Sequence, residues 1–127
     1  ALRRLYAETV KEPHPEVRDV ASLVVVTWKA IGSPRFKAVI EAWLAMANDP
    51  SLRTEIGPVV AEFASLVNPD GITTILDSAE KRDFFVMARE SMLGLALGRA
   101  TNGGEALGHE RRVLSRIRVE AVRLDRS

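Results

Sequence analysis

The chain contains no cysteine. That excludes disulfides, thiol catalysis and zinc sites built on Cys, and it fits a reducing compartment. Histidine is almost as scarce, with only His14 and His109. An inward-facing Glu-x-x-His pair, as in bundle di-iron sites, is missing at both. Glu105 precedes His109 by four, and His14 follows a proline. Nothing in the spacing sets either histidine beside a nucleophile as a triad requires, so both read as surface residues near helix ends. No glycine-rich phosphate loop occurs. The formal net charge is +1, without the basic excess of a dedicated nucleic-acid surface. The longest uncharged apolar run, residues 20–28, is far below the ~20 residues of a membrane span. The N-terminus also lacks the charged-then-apolar plan of a signal peptide, so a cytoplasmic location is expected. Neither a metal nor a cofactor is expected.

What is present suits one helical domain. The 127 residues are 46% hydrophobic and 28% charged, an ordinary globular balance. No run alternates as a strand would, and the punctuation cuts the chain into helix-length pieces. The first piece runs to about Lys11 and stops at "EPHP". It has no Ser, Thr, Asp or Asn ahead of Leu2 as a cap. The sequence therefore reads as starting inside a helix, as a fragment of something longer would; the alternative is a frayed first turn. A second helix is expected over 15–31, apolar all round between Val20 and Trp28 and therefore central. Its β-branched residues also suit a strand, but its length does not. Ser33-Pro34 opens a third helix to Asn48. Asp49-Pro50 opens a fourth, with a kink expected at Pro58. Residues 68–78 are the longest irregular connection. A fifth helix covers 79–101, "NGG" at 102–104 breaks it, and a sixth covers 105–124. The sixth carries Leu107, Leu114, Ile117, Ala121 and Leu124 on one stripe. Its other face is crowded with Arg111, Arg112, Arg116, Arg118 and Arg123, read as solvated.

Two features exceed the needs of a simple bundle. The first is an aromatic and sulfur supply of Trp28, Phe36, Trp43, Phe63, Phe84, Phe85, Met87 and Met92. Such residues line ligand pockets, although they equally well make a plain core. The second is "FFVMARESMLGLALG", residues 84–98, apolar on nearly every side. Phe84, Met87, Ala88, Met92 and Leu95 are expected to face inward. Ser91, Leu93, Gly94, Leu97 and Gly98 are left on another side, where small residues admit a partner helix closely. Two antiparallel helices from each of two subunits then make a four-helix bundle about a two-fold axis. The alternative cover is the first helix of the same chain, which is short.

The residues "SPRFKAVIEAWLAMANDPSLRTEIGPVVAEF" (33–63), "RESMLGLALGRA" (89–100) and the final "RRVLSRIRVEAVRL" resemble the C-terminal regulatory domain of TetR-family transcriptional repressors. The pattern covers nearly the whole chain but contains no invariant motif. The resemblance implies an all-α bundle of about six helices over 1–127, whose last two helices form a homodimer interface. Residues 1–11 correspond to the tail of the helix linking to an N-terminal helix-turn-helix, which this chain lacks. In the family, an effector shifts that linking helix and changes the spacing of the DNA-reading heads. The implied effector is a small hydrophobic molecule. Its expected lining is Val24, Trp28, Ile40, Trp43, Leu44, Phe63 and Met87, with Thr27 and Glu90 as polar contacts. The expected dimer residues are Ser91, Leu93, Gly94, Leu97, Gly98, Leu114, Ile117 and Ala121. DNA is a partner only through the missing head, and no membrane is involved. Two rival readings stand beside this one. One is a helical homodimerisation module without ligand. The other is a small α-helical enzyme, for which no acid–base spacing is evident, so a non-enzyme is expected.

Overall fold

The computed structural model of the chain describes residues 17–67 and 74–127, the stretch 59–67 by its backbone only. The described residues are all-helical, with five helices and no strand. We label them α1 (Val20–Ile31), α2 (Pro34–Asn48), α3 (Pro50–Val67), α4 (Ala79–Thr101) and α5 (Glu110–Asp125). None is long and apolar enough to cross a membrane. The helix expected over 1–11, its stop at "EPHP" and the first part of the 68–78 connection lie outside the described residues, so five helices rather than six are seen. The chain divides into two compact units. One contains α2 and α3, and the other α1, α4 and α5.

In the first unit, both helices start where side chains supply the missing acceptors. Ser33 Oγ accepts from the Phe36 N–H at the head of α2, where Pro34 needs no acceptor. The Asp49 carboxylate accepts from the Ser51 and Leu52 N–H groups at the head of α3. The Arg53 guanidinium donates to the Met46 carbonyl at 3.1 Å, which ties the end of α2 to the first turn of α3. Helix α3 continues through Pro58 to Val67.

In the second unit, α1, α4 and α5 pack pairwise against one another. Helix α1 begins at Val20, five residues later than the Pro15 start expected from sequence. The reason is a reciprocal cap: Asp19 Oδ1 accepts from the Ser22 N–H, and Ser22 Oγ accepts from the Asp19 N–H. Ser22, through its hydroxyl first and its N–H second, holds the Asp19 carboxyl below its ordinary range. A second carboxylate completes the cap. Asp125, at the end of α5, accepts from the Val20 and Ala21 N–H groups at 2.8 and 3.0 Å. The all-round burial expected for α1 is not found. Val20, Leu23, Val24, Thr27 and Ile31 are buried on one face, while Val25 is 46% exposed.

Helix α4 starts at a Ser78 cap, Oγ accepting from the Lys81 N–H. It ends at the "NGG" turn, where Gly103 and Gly104 take the left-handed φ that a side chain disfavours. Helix α5 begins at Glu110, not at Glu105 as expected. Residues 105–109 run as a non-helical strap instead, and this path lays Leu107 against Gly98 of α4.

Candidate effector-binding and dimerisation surfaces

The expected effector residues divide between the two units. On α2, Ile40 and Trp43 are half-buried. The Trp43 ring meets Phe36 edge-on at 5.7 Å, one stacking partner seven residues away on the same helix. Leu44 is 54% exposed, pointing away from that stripe. Phe63 belongs to the stretch described by backbone only.

On α1, Val24 and Thr27 are buried and Trp28 is half-buried, on one stripe. The Thr27 hydroxyl donates to the Leu23 carbonyl at 2.7 Å, the usual way a helix satisfies a buried hydroxyl. Trp28 holds the guanidinium of Arg99 over its ring, 5.6 Å from the centroid.

Two expected effector contacts are corrected by α4. Met87 is 70% exposed and Glu90 is exposed and paired with Arg89. The buried stripe of α4 is Phe85, Ala88, Met92 and Leu95, with Phe84 half-buried beside it. At 100° per residue, centring that stripe on Phe85 and Ala88 turns Met87 outward. Ala88, Met92 and Leu95 face inward as expected, and Met87 falls just outside the edge of their stripe.

Arg99 and Glu110 form a feature that sequence reasoning missed. Glu110 is 6% exposed, and its carboxylate accepts two bonds from Arg99, at 2.5 Å from Nε and 2.8 Å from Nη2. This fork-to-fork geometry joins the last turn of α4 to the first residue of α5. The bonds from Arg99 hold the Glu110 carboxyl below its ordinary range although burial opposes this. The chain thus braces one helix connection with a charge pair, buried at Glu110 and partly exposed at Arg99, whose guanidinium lies over Trp28. No sequence period links residues 28, 99 and 110. The only signal is a charge of each sign flanking the "NGG" turn.

The expected dimer residues also separate. Leu93 is half-buried, Ser91 and Gly94 are exposed, and Leu97 is 40% exposed. A Cβ placed on Gly94 would meet nothing within 4 Å. The outward face of α4 therefore carries Val86, Leu93, Gly94 and Leu97. Gly98 is different, because Leu107 of the same chain fills the space beside it. Ile117 and Ala121 are buried, and Leu114 is half-buried. Helix α5 packs on α1 and α4, so the first two belong to the interior of their own unit and not to a free face. Outward on α5 stand Arg111, Arg112, Arg116, Arg118 and Arg123, around Val119 at 67% exposure. Of these, Arg123 pairs with Glu120 and with Glu80 of α4, which hold its guanidinium above the ordinary arginine range.

His109 precedes α5 without capping it through its side chain. Among the described residues no group of three His, Cys, Asp or Glu side chains could hold a metal ion. Set against protein-family models, curated proteins and solved structures, the chain finds no match in any of the three.

Proposed function

We propose that this chain is the effector-binding and dimerisation domain of a TetR-like transcriptional repressor. It senses a small hydrophobic molecule and relays that state to a DNA-binding head. The resemblance described above supports the family and the effector class. One structural observation supports the dimer: α4 buries one apolar face, and its other side carries apolar residues, with exposed Glu90 among them, that no described residue covers. Val86 and Leu97 stand 44% and 40% exposed there, beside the open side of Gly94. Exposed apolar side chains gathered on one face mark a candidate interaction site. Small residues let a second helix come close, and a second copy closes the arrangement with two-fold symmetry.

Native mass spectrometry across a concentration series tests this. A dimer is expected, and Leu97→Glu is expected to give a monomer that keeps its helical content. A wild-type chain that stays monomeric at every concentration overturns the reading. The effector half is tested by the melting temperature against a panel of small hydrophobic molecules, since a ligand of the folded state must raise it. The chain alone is expected not to shift a promoter fragment at physiological salt.

A second reading, a homodimerisation module without ligand, has its own support. The Thr27 hydroxyl is satisfied by Leu23, and Trp28 is engaged by Arg99. The polar handle and the aromatic face of that stripe are both used within the chain. This reading expects the same dimer with no co-purified mass and no ligand that raises the melting temperature. A small enzyme is the least supported of the three.

A further inference from the structure

We propose that Asn102 is a site of spontaneous chemical modification, at which the side-chain amide is lost as ammonia and aspartate and isoaspartate are left behind. The reaction needs a backbone nitrogen that is free to attack, an unhindered following residue and access for water. The end of α4 provides all three. Asn102 is exposed, and the next residue is Gly103, without a Cβ to obstruct rotation of the shared peptide. The Gly103 N–H donates to no acceptor among the described residues, whereas the Asn102 and Gly104 N–H groups on either side both donate to the Arg99 carbonyl. The Asn102 amide itself is held by one long bond, Nδ2 donating to the Glu105 carbonyl at 3.3 Å in an exposed setting.

The bonds change as follows. The Gly103 nitrogen, losing its proton, attacks Asn102 Cγ and forms the C–N bond of a five-membered imide. The Cγ–Nδ2 bond breaks, and Nδ2 leaves with that proton as ammonia. Water then adds to one of the two imide carbonyls. Opening at one carbonyl gives aspartate, and opening at the other gives isoaspartate, with the main chain routed through the side chain.

Asn48 is the internal control. It too ends a helix and is exposed, but the following N–H, that of Asp49, donates to the Met46 carbonyl. The third asparagine, Asn68, precedes a proline and so has no N–H to deprotonate.

The change has structural reach. It removes the bond from Nδ2 to the Glu105 carbonyl and places a negative charge at the carbonyl end of α4, where the helix dipole disfavours it. The isoaspartate form also lengthens the main chain inside the turn that sets Leu107 on Gly98 and Arg99 on Glu110.

The test is incubation of the folded chain at mildly alkaline pH, followed by peptide mass mapping against a zero-time control. The tryptic peptide of residues 100–111 isolates Asn102. The expected result is an amide-to-acid mass gain that grows with time in this peptide, split into two chromatographic forms, with Asn48 unchanged. Asp70-Gly71 can isomerise too, but without any mass change, so the two signals stay separate. Asn102→Gln is expected to abolish the gain, and the aged wild-type chain is expected to melt below the fresh one. The proposal is overturned if Asn102 keeps its amide as long as Asn48 does. It is equally overturned if the gain appears only in urea, because the fold would then protect the site.

Discussion

The two compact units hold themselves together by different means. In the unit of α1, α4 and α5, apolar side chains from three helices share an interior, with Phe85, Met92, Val20 and Leu124 almost fully enclosed. Two polar ties between its helices join distant parts of the sequence, Asp125 to the head of α1 and Arg123 to Glu80, while Arg99 to Glu110 braces one helix connection. In the unit of α2 and α3, the described polar ties are local, spanning a cap or one helix connection. On α2 the buried side chains are Phe36 and Val39. Long-range ties make one unit depend on the whole chain at once.

The sharpest test of this difference is a pair of truncations. Phe85→Ala removes a ring that is 1% exposed and is expected to cost about 3–5 kcal/mol in urea unfolding. Leu44→Ala on α2, already half in solvent, is expected to stay within about ±0.5 kcal/mol. Equal losses at the two positions would erase the distinction.

The Arg99–Glu110 pair comes next. Glu110→Gln keeps the shape, loses the charge-assisted bonds to Arg99, and is expected to cost about 1–3 kcal/mol at neutral pH. The sign with pH follows from the direction of the shift. The Glu110 carboxyl titrates lower in the folded chain than in the unfolded one. Its stabilisation is therefore complete above the ordinary glutamate range and is lost as pH falls through the depressed folded value. Unfolding curves against pH should show the wild-type and Gln chains converging in acid. A constant gap down to the lowest pH would assign the effect to packing. Trp28, under Arg99, gives a fluorescence readout of the same pair.

Asp125→Ala should be milder, about 0.5–2 kcal/mol, the range for loss of an N-terminal cap. Asp19 continues to serve the Ser22 N–H in that variant. The smallest effect is a gain. Gly94→Ala adds a methyl into open space on a helix and should stabilise the isolated chain by about 1 kcal/mol. If a partner helix lies there, the same methyl weakens the dimer. Gly98→Ala should yield no comparable gain, because its methyl displaces Leu107.

Much of the helical plan was legible in the sequence, and the losses have separate causes. Helices α2 and α3 start where Ser33-Pro34 and Asp49-Pro50 say they should, and α4 spans 79–101 as expected and stops at the "NGG" break, because caps and breakers act locally. The start of α1 was misplaced because two local signals compete. Pro15 suits a first helical position, but Asp19 and Ser22 form the reciprocal cap. The start of α5 was misplaced because the strap from Glu105 to His109 answers to Leu107 and Gly98, a contact between distant positions. Met87 was turned inward because a helix apolar on nearly every side gives periodicity little phase to work with. The Arg99–Glu110–Trp28 cluster was illegible for a plainer reason. It is assembled by packing three helices, and pair spacing along the chain carries no trace of it. The site expectations drawn from family resemblance share that weakness, since they transfer positions without the contacts that surround them.

The bond between Asp125 and the head of α1 has a consequence in time. Val20 leaves the ribosome 105 residues before the carboxylate that caps it exists. Throughout that interval two N–H groups of the first turn must rely on water. The helix that opens this unit is completed by the one that closes it, so the chain must be made through residue 125 before the unit can lock. A chain stopped just short of residue 125 would carry every buried apolar residue of α4 and still leave α1 unlatched.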